Sequence, residues 1–429
     1  MEQKHNRLTV DRLVVGFALF SMFFGAGNVV FPPYLGMQTG THWFAGFLYY
    51  FVADIGLAML TMFAILRGRG TEKIVEPVGK LPAAILMSAI ILCIGPMLAI
   101  PRTAATTYEM AVVPLAPGVP SVVFSILFFA LILALSVRES AVVDIVGKIL
   151  TPLLLLGLAA IIVKGVMFPL GKIHTAPTVS SVAATGILSG YQTMDVLAAM
   201  AFGVLILQSA DKKGYHGVGE QKKLVSGAAL VSGLLLMLVY LGLTYLGATV
   251  ADRFDFHIDR ADLVLRIVDM LMGRVGTVIF GVVVGLACIT TAVALVSSAA
   301  AFFSKLSGGK LRYSWLVIAI CVFSAAAANI GLDGIIAVAA PILNIVYPPT
   351  LVLVVLSYFS DKIPRLVHRF AAGGAILVSI LNVATRNGAR MPILKQLPLA
   401  SMDLGWLVPA IVCGVIGLLL SLVLQKKHT

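Results

Sequence analysis

The sequence predicts an all-α integral membrane protein with twelve transmembrane helices, ten of them in a 5+5 inverted repeat whose helices 1 and 6 are broken. Three observations predict it. The chain is 60% hydrophobic and only 12% charged over 429 residues, too little charge to cover a soluble surface of that size. Apolar runs of about 20 residues, enough for a helix to cross the hydrocarbon, recur from end to end. Two of those runs, five segments apart, are interrupted midway by glycine and polar side chains, and paired interruptions of this kind point to a transporter site.

The runs are read as segments 1 to 12, covering 13–35, 42–66, 81–101, 119–137, 141–167, 183–209, 222–250, 275–304, 313–332, 334–359, 366–385 and 404–425. They form a single transmembrane domain, 1–429, with a first repeat over 13–167 and an inverted second repeat over 183–359. Segments 11 and 12, 366–425, are accessory. The first run is as long as a full span and is read as retained rather than as a signal peptide. With the N-terminus inside, the inner loops carry Lys4, Arg7 and Arg12; Arg67, Arg69, Lys73 and Lys80; Arg138 and Lys148; Lys212, Lys213, Lys222 and Lys223; Lys305, Lys310 and Arg312; Lys362, Arg365 and Arg369; Lys426 and Lys427. That is most of the 31 Lys and Arg, so the positive-inside tendency places both termini in the cytoplasm. The net charge of +12 follows from these loops and does not indicate nucleic acid.

Segment 1 contains "FFGAGNVVFPP", residues 23–33. Bare N–H and C=O groups are not tolerated in lipid unless protein or a water-filled cavity receives them. Gly25-Ala26-Gly27 permits unwinding and close backbone approach, Asn28 adds a polar amide, and Pro32 and Pro33 discourage a continuous helix. A kinked helix with small packing residues is the structural alternative. Segment 6 reads "TGILSGYQTMDVLAAMAFGVLILQ", residues 185–208, with Ser189, Gly190, Gln192, Thr193 and Asp195 at its middle. A carboxylate at that depth is costly and usually functional. Asp195 is read either as handling a cation or proton, or as capping the second half-helix.

Other polar points are weaker. Thr290 and Thr291 in segment 8 are adjacent hydroxyls that either bond their own i−4 carbonyls or, with unwound carbonyls of segment 1, offer oxygen ligands to a hard cation. Asp54 in segment 2 is a lesser candidate, and Glu109, near the outer end of segment 3, is read as a surface carboxylate. "APILNIVYPP", residues 340–349 of segment 10, is read as a kink in preference to a gate. In the external loop 251–274, apolar residues at 263, 264, 267, 268 and 271 recur at helical spacing, and Asp262 is a candidate cap. That helix is either a lid over the outer mouth or a solvated connector.

Enzyme chemistry has no foothold. Cys93, Cys288, Cys321 and Cys413 sit in apolar runs without CxxC spacing and read as packing residues. His5, His42, His174, His216, His257, His368 and His428 are placed in loops or tails, with no ligand-like pairs. No cofactor or obligate protein partner is expected beyond the lipid bilayer.

"LFSMFFGAGNVVFPPYLG", residues 19–36, resembles the opening signature of the bacterial branched-chain amino acid:cation symporters, the leucine/isoleucine/valine carriers of the BrnQ type within the amino acid–polyamine–organocation superfamily. "SGYQTMDVLAAMAFG", residues 189–203, is similar to that family's sixth segment. The resemblance implies the leucine-transporter fold, the bacterial cytoplasmic (inner) membrane, and leucine, isoleucine and valine as cargo. It also implies a Na+ site joining segments 1 and 8, with the carbonyls of Ser21 and Phe24, and with Ala287, Thr290 and Thr291 matching an Ala-x-x-Thr-Ser/Thr pattern. Backbone N–H groups of Gly25, Ala26 and Gly27, with Asn28 beside them, would receive the carboxylate of the amino acid. Carbonyls near Ser189, Gly190, Tyr191 and Gln192 would receive its ammonium, helped by Gln192 or Thr193, and Tyr191 would be a wall or gate. Proton coupling through Asp195 and a transporter-like sensor are the alternative readings.

Overall fold

Apolar runs bounded by charged loops become helices here because lipid leaves the backbone no other partner. The computed structural model describes residues 2–137, 151–255, 257–389 and 391–426, and all regular elements among them are helical. Eight helices among the described residues are long and apolar enough to cross a bilayer, or nine with the bent pair over 182–212. Segments 4 and 5 appear as shorter apolar helices, Ser121–Ser136 and Thr151–Met167; the expected start of segment 5, 141–150, lies outside the described residues.

Segments 1 and 6 are both divided. The first gives helices Glu2–Phe23 and Ala26–Thr39, the second Val182–Thr193 and Asp195–Lys212. The first break is shorter than expected. Only Phe24 and Gly25 leave the helix, while Ala26 and Gly27 already belong to the next one. Pro32 and Pro33 do not interrupt that helix. Their lost N–H groups are tolerated because a tight helix crossing holds the segment: a Cβ at Gly36 would overlap the Thr244 carbonyl, and one at Gly247 the Pro33 carbonyl. Small residues at such crossings let backbones touch, and this one fixes Ala26–Thr39 against Val218–Ala248.

Segment 3 departs most from expectation. Helical structure runs over Lys80–Leu115 rather than ending at 101. It is kinked at Gly95 (φ −93°, ψ −131°) beside Pro96, whose ring and missing N–H disrupt the ladder. Helix Ala99–Thr107 resumes beyond the kink and carries Arg102 into the protein. Segment 10, Leu332–Ser357, runs unbroken through Pro341, Pro348 and Pro349.

Loops of one face are tied together by Lys213–Asp11 (3.5 Å), Lys305–Glu72 (2.6 Å) and Arg365–Glu76 (3.2 Å). Arg12 adds a bond to the Lys223 carbonyl at 3.1 Å. These are the loops in which basic residues concentrate. Loops of the opposite face meet through Thr41 N–H to the Thr175 carbonyl (2.9 Å) and through Arg260–Asp333 (2.5 Å).

The helix predicted in 251–274 begins at Arg260 and continues into segment 8 through Gly273, whose φ of +63° bends it. Leu263, Val264, Ile267, Val268 and Leu271 are all buried, so the apolar stripe is packed down and the helix is no solvated connector. Asp262 is not its cap. The N-cap position is Asp259, and Asp262, in the first turn where the helix dipole favours acids, pairs with Arg266 at 2.8 Å. Glu109 is likewise not a surface residue. It is half-buried and accepts the Leu332 N–H (2.9 Å) at the start of segment 10. His368, expected in a loop, is buried in helix Arg365–Arg386. The four thiols are free, and Cys93, Cys288 and Cys321 are buried.

Candidate functional site

A helix break creates two kinds of end. At the first break the outgoing turn of Glu2–Phe23 exposes carbonyls, and the incoming turn of Ala26–Thr39 exposes N–H groups. Asn28 satisfies one of the latter: its Oδ1 accepts the Gly25 N–H at 3.3 Å. Its amide group faces the other way, donating to Asp195 Oδ2 at 2.8 Å and to the Tyr240 hydroxyl. A main-chain N–H only donates, so the Gly25 contact makes Oδ1 the acceptor and fixes this orientation. A single buried side chain therefore joins break 1, break 6 and helix Val218–Ala248.

The second break is one residue long. Met194 adopts the left-handed region (φ 68°, ψ 16°), Val182–Thr193 ends before it, and Asp195 begins the next helix. A methionine in that region is strained, and such strain clusters where function requires it. Ser181 caps the start of Val182–Thr193, its hydroxyl accepting from Ala184 N at 3.2 Å. Asp195 is bonded to Asn28 rather than to freed backbone N–H groups. Asp54, fully buried in a wide turn over Val52–Gly56, lies beside it. Asp54 Oδ1 is 2.8 Å from the Thr193 hydroxyl, which is also 2.6 Å from the Gly190 carbonyl.

Arg102 is the residue that sequence reasoning missed. It is 3% exposed. Nη1 donates to the Gln192 carbonyl at 2.6 Å and Nη2 to the Thr193 carbonyl at 3.2 Å. The guanidinium thus sits on the negative end of the Val182–Thr193 dipole, on two carbonyls of which one, that of Gln192, was expected to meet the ammonium of a ligand. Nη2 also lies over break 1, because a Cβ on Gly27 would approach it to 2.8 Å. Ending segment 3 at Pro101 had placed this arginine in an outer loop. The small and apolar run continuing past it to 115 was the available signal.

Segments 1 and 8 meet beside this network. Thr291 Oγ1 is 3.3 Å from both the Ser21 and Met22 carbonyls, and Thr290 Oγ1 is 2.9 Å from the Ala287 carbonyl. Ser21 Oγ is 3.1 Å from Thr290 Oγ1. Four of the five residues expected to hold a cation are thus together, and their oxygens are hard donors suited to a hard cation. The Met22 carbonyl joins them, and the Phe24 ring stacks on Phe20 at 5.3 Å.

Gly25, Ala26, Asn28, Arg102, Asp195 and Thr291 share the lining of one cavity of about 20 Å3, room for about one water. Thr193 lines it too, whereas Gly27, Ser189, Gly190, Tyr191 and Gln192 do not. Tyr191 stacks on Tyr347 with centroids 4.5 Å apart, and Phe23 packs edge-on against Phe202 at 5.7 Å. The site is therefore closed, with an aromatic pair beside each half of segment 6.

The chain matches the family model described as branched-chain amino acid transport protein over residues 8–424. It is 35% identical over 437 residues to the branched-chain amino acid permease BraB of Bacillus subtilis (strain 168), covering 98% of this chain and 97% of that one. Two solved structures share the architecture. A Na+-coupled sialic acid symporter in a substrate-bound outward-open state gives a TM-score of 0.62 at 13% identity, covering 95% of this chain and 90% of that one. Mhp1, a nucleobase-cation-symport-1 family transporter in a closed conformation with bromovinylhydantoin bound, gives 0.66 at 12% identity, covering 97% and 93%. At such identities the likeness shows the fold alone, and it is the leucine-transporter fold that the family resemblance implies. The chain belongs to the branched-chain amino acid transport protein family, and it is a membrane permease, not an enzyme.

Proposed function

We propose that the protein imports leucine, isoleucine and valine by Na+ symport and alternating access across the bacterial cytoplasmic membrane, with both termini cytoplasmic. The carrying observation is the oxygen cluster of Ser21, Met22, Ala287, Thr290 and Thr291, which draws a broken end of segment 1 onto segment 8. A Na+ held there ties the two segments in one arrangement, so ion binding biases the equilibrium that also sets substrate affinity. The membrane potential supplies about 2.3 kcal/mol per charge per 100 mV, which makes uphill uptake feasible with one ion. The sialic acid symporter of the same fold is itself Na+-coupled. Concentration of Lys and Arg on the face holding the N-terminus supports the orientation. A cavity of about 20 Å3 cannot hold an amino acid side chain, given that benzene needs roughly 150 Å3. Binding thus requires opening, as alternating access does.

The adjacent buried carboxyls of Asp54 and Asp195 favour a second reading, in which a proton replaces Na+. Radiolabelled leucine uptake into proteoliposomes separates the two. Sodium symport gives saturable uptake driven by an imposed Na+ gradient, competed by isoleucine and valine, and stripped of its Na+ dependence in the Thr290→Ala/Thr291→Ala double variant. Uptake that persists without sodium and follows an imposed pH gradient overturns it in favour of the proton.

A further inference from the structure

We propose that Arg102 is the ligand for the substrate's carboxylate, and that in the closed form its guanidinium occupies the seat of the substrate's ammonium. The proposal rests on the family's cargo being an amino acid and not on the identity of the coupling ion.

A guanidinium this deep in a membrane protein is retained for a purpose or removed. Arg102 is bonded to two main-chain carbonyls and to no carboxylate, and its buried Nε has no partner among the described residues. Buried polar atoms left in that condition call for an explanation. The planar fork of donors on arginine matches a carboxylate in two parallel hydrogen bonds. Its position adds to this. Nη2 stands over Gly27, in the first turn of Ala26–Thr39, so the positive end of that helix and the guanidinium face the same cavity. Two independent anion-attracting devices converge on one point.

The carbonyls of Gln192 and Thr193 are held by Arg102 in this form, and the Gln192 side-chain Oε1 is buried beside them without a partner among the described residues. An entering zwitterion carries both charges needed for an exchange. Its carboxylate draws the guanidinium away, and its ammonium takes over the carbonyls. The two main-chain carbonyls and the Nη groups of the guanidinium each have a partner at either stage, so Arg102 acts as an internal stand-in that stabilises the closed, substrate-free arrangement.

The test compares L-leucine with L-leucinamide, which keeps the ammonium and side chain and lacks the carboxylate charge, as competitors of radiolabelled leucine on the purified full chain. Wild type is expected to prefer leucine by about 100-fold, the scale of a hydrogen-bonded charge. Arg102→Gln is expected to weaken leucine by a similar factor, leave leucinamide within about threefold of wild type, and so collapse the ratio. Arg102→Lys is expected to retain an intermediate ratio. A variant in which both compounds weaken equally, with the ratio kept, overturns the proposal, because a purely structural arginine does that. Should Arg102→Gln not fold, the wild-type ratio and Arg102→Lys decide, and equal binding of the two compounds by wild type overturns it. Wild type that binds neither compound overturns the amino acid cargo and the proposal with it.

Discussion

Asn28→Leu keeps the approximate volume of a side chain that is 1% exposed and removes all of its polar contacts. Three buried groups lose their partner: the Gly25 N–H, Asp195 Oδ2 and the Tyr240 hydroxyl. In a soluble core each loss costs about 1–3 kcal/mol. Within a membrane the measured interactions average about 0.6 and reach about 1.7 kcal/mol, because freed groups find other partners. Gly25 and Tyr240 sit beside other polar groups and belong at the low end. Asp195 belongs at the high end, since the charged group that acts on it most strongly is another acid, Asp54. Two groups near the membrane average and one at the charged end give a loss of about 2–4 kcal/mol. The assay is SDS-induced unfolding in mixed micelles of Asn28→Leu, Asp195→Leu and the double variant. A coupling of at least about 1 kcal/mol between the two sites is expected. Additivity within about 0.5 kcal/mol would refute the view that this contact holds the two breaks together.

Arg260 pairs with Asp333 and lies 4.6 Å over the Tyr34 ring; Arg260→Ala should remove about 1–2 kcal/mol from closure at the face opposite the N-terminus, the outer one in the proposed orientation. That is a 5- to 30-fold gain in the open population, read as faster labelling of Ala99→Cys, in a background without native cysteines, by an impermeant thiol reagent. An unchanged rate excludes Arg260 as a latch. Gly36→Ala or Gly247→Ala drives a Cβ into backbone and should abolish the monodisperse folded peak in size-exclusion chromatography. Gly373→Ala, which meets nothing within 4 Å, should be neutral or stabilising by up to about 1 kcal/mol. Equal behaviour of the three would contradict the crossing. Glu109→Ala should cost about 1 kcal/mol through the lost bond to the Leu332 N–H, with Glu109→Gln retaining most of it. Thermal unfolding of the three proteins distinguishes this from a bystander, which would show no ordering.

Membrane spans were legible because a helix in lipid needs a long apolar run, and composition alone shows one. Break 1 was legible because glycine and asparagine in such a run have few other uses. Break 6 was located only to a polar stretch. The residue that turns the chain is Met194, and nothing in a methionine announces a left-handed backbone; the surrounding packing imposes it. Arg102 was lost to a boundary, since Pro101 reads as an end when it stands just beyond a kink. The helix beginning at Arg260 was read from its spacing, whereas its cap was not, because three acids, Asp255, Asp259 and Asp262, compete within one turn or two and only the fold chooses. Pairs such as Asp54 with Thr193, 139 residues apart, have no local signal at all.

The charges at the centre of the fold give the site its direction. Asp54, Asp195 and Arg102 are all buried, and two acids against one base leave an excess negative charge whenever both acids are ionised. In a medium of low dielectric that excess attracts a cation strongly. The oxygen cluster on segments 1 and 8 lies where a cation would compensate, since Thr291 lines the same cavity as Asp195. Break 1 supplies both neighbours: the carbonyls of Ser21 and Met22 lie against Thr291, and Gly25 and Ala26 line the cavity that Arg102 also lines. Any swing of one half of segment 1 against the other therefore alters both sites at once. Coupling then requires no relay between them, because the ion and the amino acid would be held by opposite ends of one two-residue gap.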